Sequence, residues 1–158
     1  MASKKTYNNS DKNGPLQADC RGILKINTSW IDATSRSRFG LANGEYGDGV
    51  KNYRLVPFRT IAVDPTFIPY GSVVYIPSFR GQSFKLPNGV TTTHDGYFFA
   101  ADTGGGIKQN HIDIFIGTDT VNPFPQLILS NPSPTFQAFI INTDGIKAAM
   151  EKLHRKQQ

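Results

Sequence analysis

Three aspartates stand where an idle carboxylate would cost folding free energy. Asp64 closes the run RTIAVD, Asp102 closes GYFFAAD, and Asp113 lies inside HIDIFIG. A carboxylate in or at the end of an apolar run must be solvated, hydrogen-bonded or put to use. Carboxyl groups gathered at one place can do general acid/base work. On pattern alone, each of the three serves equally well as a turn or cap residue.

Other chemistries find less support. No G-x-S-x-G elbow is present. Cys20 is the only cysteine, which rules out a disulfide framework and a cysteine zinc site and reads as a small buried apolar residue. His94, His111 and His154 lack zinc-site spacing, and no EF-hand-like array occurs, so neither a metal nor another cofactor is expected. Gly104, Gly105 and Gly106 in TGGGIKQN permit positive φ and a close approach of backbone to a neighbour or ligand. The stretch misses the phosphate-loop spacing and also reads as a tight crossover.

The elements that must hold these residues are short. A chain of 158 residues makes one domain with a real core. Residues 1–17 read as a flexible polar arm and 18–158 as the domain. CRGILKINTSWI (20–31) predicts a first strand, and 32–52 a long loop that supplies Arg36, Arg38, Tyr46 and Lys51. Apolar runs of strand length follow at 59–64, 72–77, 96–102, 111–117, 126–130 and 137–142, punctuated by Gly- and Pro-rich turns. Such a pattern argues for a β-barrel or sandwich. TDGIKAAMEKLHRK predicts a terminal helix, with Thr143 or Asp144 as N-cap and Ile146, Met150 and Leu153 on one face.

Strand alternation places His111, Asp113 and Phe115 on one face and Ile112, Ile114 and Ile116 on the other. Likewise Thr60, Ala62 and Asp64 oppose Ile61 and Val63. The aspartate faces are expected to line a groove and the aliphatic faces a core.

The net charge of +5 suits an anionic partner. Because the basic residues are scattered, nucleic acid is not the expected one. No window is long and apolar enough for a membrane span, and the N-terminus lacks the apolar core of a signal peptide.

The blocks IAVDPTFIPYGSVVYIP and AADTGGGIKQNHIDIFIG, in this order, resemble the 3D domain, named for three aspartates and found in MltA-like lytic transglycosylases. The resemblance covers residues 60–77 and 97–117. It implies a mainly β fold, a six-stranded double-psi β-barrel, here with the short C-terminal helix. It maps the family aspartates onto Asp64, Asp102 and Asp113. Asp113 takes the place of the proposed general acid/base, and Asp64 and Asp102 would shape its pKa or hold the sugar. The family usually has glycine where Gln109 stands, and 78–95 is longer than in compact members and is expected to form a hairpin beside the groove.

The implied activity is lytic cleavage of the MurNAc–GlcNAc β-1,4 bond of peptidoglycan glycan strands, leaving 1,6-anhydroMurNAc. Because the 6-hydroxyl of the substrate is the nucleophile, one carboxyl suffices, and Asp113 must start protonated. Its apolar strand neighbours and the like charges of Asp64 and Asp102 are expected to raise its pKa. Lys108, His111, Tyr97 and Phe115 are the candidate substrate contacts, with Gly104 and Gly105 leaving room for the ligand. An inverting hydrolase with Asp64 as base, or a non-catalytic expansin- or barwin-like wall-binding module, are the alternatives. The protein is expected to act as a monomer in the cell wall or periplasm, as an exported effector, a phage endolysin or a chain with its leader removed.

Overall fold

The computed structural model describes residues 2–5, 38–41, 44–86, 88–118, 122–128 and 135–155. Within them the chain is mainly β with one helix. The strands are β1 (Ala2–Lys5), β2 (Arg38–Leu41), β3 (Thr60–Val63), β4 (Val73–Tyr75), β5 (Ser83–Lys85), β6 (Thr91–Thr93), β7 (Tyr97–Asp102), β8 (Ile112–Ile114) and β9 (Phe139–Ile141). Helix α1 spans Asp144–His154. The predicted strand at 20–31 lies outside the described residues. So does most of the predicted arm, whose described part, β1, pairs antiparallel with β2.

The central sheet has the order β8-β3-β7-β4-β9. β3 and β7 run parallel, and every other pairing in this sheet is antiparallel. Among the described residues the sheet is open, with five strands, so the expected six-stranded closed barrel is not seen there. The β3–β7 ladder shifts register between Ile61 and Ala62: Ile61 faces Ala100, but Ala62 faces Asp102. Ala101 is thus the extra residue of a β-bulge.

Both faces of the sheet are covered. One carries Ile61, Val63, Val74, Phe98 and Ala100, packed with Phe58, Phe79, Phe84 and Phe124. The aromatic rings interlock at centroid distances of 4.7 Å (Phe58–Phe84) and 5.1 Å (Phe79–Phe98), which explains the abundance of phenylalanine. Phe84 reaches this core from the β5–β6 hairpin, the expected hairpin at 78–95, whose Asn88 side chain accepts from the Val90 amide across the tip. His94 is buried in the same cluster, between the Phe58 carbonyl (2.7 Å) and the Gly96 amide (2.8 Å). Its Nε2 donates and its Nδ1 accepts, so the ring is neutral.

The opposite face departs from the expectation of an open groove along β3. Thr60 is buried there, because α1 packs against Val73, Phe99 and Ala101 through Met150 and Ile146 and brings His154 to the Thr60 hydroxyl. Thr143 is the N-cap but makes no side-chain cap bond. The inward stripe is Ile146, Met150 and His154, spaced by four; Leu153, expected inside, is 39% exposed. His154 donates from Nδ1 to the Met150 carbonyl (2.7 Å) and accepts the Thr60 hydroxyl at Nε2 (3.1 Å). Burial pushes its pKa down to about 4. Arg54 satisfies the helix end, its backbone and side chain donating to the His154 and Leu153 carbonyls.

The run at 126–130 does not form the predicted strand over its described part. Leu127 and Ile128 turn back onto the Phe124 carbonyl, and the Asn122 side chain clasps the turn from both sides. Pro123 and Pro125 lack the amide donors a ladder needs.

Candidate active site

Alternation within β3 carries Ala62 and the following Asp64 to the same side. Ala62 is the centre of the site. Asp113 is its antiparallel partner on β8 and Asp102 its parallel partner on β7. The two aspartates therefore flank one small residue, about 10 Å apart across two strand spacings. Without the bulge at Ala101, Asp102 would pair with Val63 and point into the phenylalanine core. Asp64, Asp102 and Asp113 share a face without converging on a point. Among the described residues, no group of three or more His, Cys, Asp and Glu side chains comes close enough to hold a metal ion.

The three carboxyls differ in environment. Asp64 is fully engaged: Oδ1 accepts from the Thr66 hydroxyl (2.7 Å) and amide (3.0 Å), and Oδ2 from the Gln109 amide (2.9 Å). The Thr66 hydroxyl first, then the two amides and the Lys108 charge, hold it below the usual carboxylate range. Asp102 is half-buried; loss of water pushes its pKa up, against a smaller pull from a Thr103 backbone bond. Asp113 is the open one, its side chain 63% exposed and Oδ1 3.2 Å from Nε2 of His111. Burial thus acts on Asp102.

The predicted contact residues divide. His111 and Phe115 lie two residues either side of Asp113 on its face, and the Phe115 ring meets Tyr46 edge-on at 6.0 Å. That contact brings the loop of 44–55 to the site as a wall. Gly49 seats this wall: a Cβ there would lie 2.0 Å from the Ala101 carbonyl oxygen. Lys51 of the same loop bonds the Tyr70 carbonyl at 3.3 Å, Arg36 lies outside the described residues, and of Arg38 only the backbone is described. Lys108 is exposed on the turn beside Asp64.

Tyr97 is not brought to the site. It starts β7, five residues from Asp102 and so about 16 Å away along the strand, and its ring packs on Tyr75 at 4.9 Å. The glycine turn also departs from expectation. None of Gly104, Gly105 and Gly106 takes positive φ; Gln109 does, at 57°. Gly105 and Gly106 face open space, whereas a Cβ on Gly104 would press on Ile107 at 2.8 Å.

Sequence reasoning missed Ala62, Gly49 and Gln109 as parts of the site. Only Gln109 left a trace, as a bulky residue in a turn where the resembling family has glycine.

Residues 59–122 match the family described as 3D domain. Over 85 residues, 54% of this chain, it is 34% identical to the SPbeta prophage-derived protein YorM of Bacillus subtilis (strain 168), covering 27% of that protein. It is 41% identical over 58 residues, 37% of this chain, to the cell wall-binding protein YocH of the same organism, covering 15% of it. Among solved structures it is similar to the lytic transglycosylase LtgG of Burkholderia pseudomallei, with 28% identity and a TM-score of 0.34 over 56% of this chain and 26% of that one. It is also similar to MltA from Escherichia coli, with 23% identity and a TM-score of 0.32 over 63% of this chain and 31% of that one. The chain spans less than a third of the length of each of these proteins.

Proposed function

We propose, from the premise that residues 59–122 make this chain a 3D-domain protein, that it is a lytic transglycosylase acting on peptidoglycan glycan strands at the cell wall. It cleaves the MurNAc–GlcNAc β-1,4 bond and leaves 1,6-anhydroMurNAc. The observation that carries the reading is the placing of Asp102 and Asp113 on either side of Ala62, next to the Phe115–Tyr46 wall. On the same premise, the described sheet is part of a six-stranded double-psi β-barrel formed by a single domain over 18–158. The parallel β3–β7 pair within an otherwise antiparallel sheet supports that architecture.

Asp113 is the acid and base, being the carboxyl that a glycan can reach. Asp113 gives its proton to the departing 4-oxygen as the C1–O4 bond breaks. The 6-hydroxyl of the same sugar bonds to C1 and returns its proton to Asp113. No water enters, and the intramolecular attack avoids most of the entropic cost of bringing a nucleophile in. Phe115 and Tyr46 offer ring faces to the sugar, and Lys108 offers a cation to a stem-peptide carboxylate.

Digesting purified peptidoglycan with the protein and with Asp113→Asn, followed by mass spectrometry of the released muropeptides, tests the reading. Products one water lighter than hydrolysed ones, made only by the unmutated protein, are expected. Reducing-end products would overturn it in favour of an inverting hydrolase. The similarity to the cell wall-binding protein YocH favours a second reading, a wall-binding module; folded protein that pellets with the wall and releases nothing would establish that one.

A further inference from the structure

Resting on that reading, we propose that Asp64 takes no part in the proton transfers and is a positioning residue, a clamp that holds the 103–110 turn in register through the Gln109 amide. Its three acceptor bonds leave the carboxylate little capacity for substrate. One oxygen organises the turn that ends β3, where the Phe67 and Ile68 amides also donate to the Asp64 carbonyl. The other oxygen reaches 45 residues along the chain to Gln109.

Gln109 needs such a partner. Its φ of 57° lies in the left-handed region, which a non-glycine residue enters at a cost because its Cβ crowds the carbonyl oxygen. The hydrogen bond to Asp64 offsets that cost. The turn it fixes displays Lys108 and leads through His111, whose amide donates to the Lys108 carbonyl, into the strand that carries Asp113. Asp64 thus acts on the chemistry through the placement of Lys108 and Asp113.

Asparagine at position 64 keeps an oxygen for Thr66 but turns an NH2 group toward the Gln109 amide, so Asp64→Asn breaks the Gln109 arm alone. Glycine takes positive φ without steric cost, so a Gln109→Gly background removes the need for the clamp. The test is the rate of anhydro-muropeptide release by the protein, Asp64→Asn, Gln109→Gly and the double variant, with exchange of the residue-109 amide followed on the same proteins. Asp64→Asn is expected to slow release about 10- to 100-fold, as a misplacement near 1 Å does, and to lose protection at Gln109. In the Gln109→Gly background the same substitution should cost only a few-fold. An equal loss in both backgrounds would overturn the clamp and make Asp64 a substrate or proton ligand. If the unmutated protein releases nothing, the transglycosylase reading fails by itself. Amide exchange then decides the clamp alone: protection at Gln109 untouched by Asp64→Asn overturns it, and lost protection upholds it.

Discussion

Asp102 and Asp113 come from strands that do not pair with each other, yet both are cross-strand partners of Ala62. Ala62 is 9% exposed and stands between a half-buried carboxyl and an open one. The two carboxyls thus stand in unlike surroundings with a small residue between them.

Asp113→Asn should abolish muropeptide release, by at least about 100-fold, the usual worth of a positioned general acid. Because the side chain faces solvent, its thermal midpoint should stay close to that of the unmutated protein. Circular dichroism melts run beside the digestion assay check both halves, and full activity in a folded variant would sink the assignment.

Asp102→Asn should trade activity for stability. The folded-state pKa of Asp102 is raised, so the native protein keeps this proton at a pH where the unfolded chain has released it. Its contribution is therefore complete below the unfolded value of 3.8 and is lost as pH rises through the folded one. The amide carries no such pH dependence. Melts at pH 7 should show the variant more stable than the parent, the gap closing toward pH 3, while glycan release falls.

His154 gives the opposite pH dependence. Its pKa falls from 6.5 in the unfolded chain to about 4 in the fold. Between these values the unfolded chain binds a proton that the native one refuses, so stability declines from pH 6.5 downward and levels off below about 4. The decline amounts to about 3 kcal/mol at 1.36 kcal/mol per unit. His94, also pushed down by burial, adds to it. Urea titrations at several pH values should show a shallower decline in His154→Leu. At pH 7 that variant should already be weaker by about 1–3 kcal/mol, with the Thr60 hydroxyl and the Met150 carbonyl each short of a partner.

Gly49→Ala should be costly at a residue that looks like ordinary loop. The added Cβ meets the Ala101 carbonyl oxygen, a backbone atom that cannot swing aside. Overpacking of this kind costs about 1–3 kcal/mol. Because Ala101 is the bulge residue that turns Asp102 toward Ala62, release should fall by more than the stability loss explains. Denaturation midpoints compared with release rates well below the melting temperature separate the two effects.

Much of the architecture was legible in the chain. β-branched and aromatic runs between Gly and Pro turns marked β3, β4, β7, β8 and β9, and alternation put Asp113 on the face away from Ile112 and Ile114. The terminal helix was marked as well, though its inner face was misjudged by one residue, because His154 reads as polar and satisfies both ring nitrogens inside. The run at 126–130 misled for the converse reason: apolar residues can pack from a turn as well as from a strand, and neighbouring prolines and Asn122 decided between them.

The sequence by itself determined which residues alternate, where turns fall and which carboxylates lie at strand ends, because those follow from local periods and local backbone limits. Only the tertiary structure decided that Asp102 faces Asp113 across Ala62, that Asp64 is spent on Gln109, that Tyr97 lies at the far end of its strand, and that a helix covers half of the expected groove. The bulge that settles the first of these left no mark in the hydrophobic pattern, since Ala100 and Ala101 are the same residue and suit either face. Register between strands is fixed by what packs above and below them, and that information is spread over residues far apart in the chain.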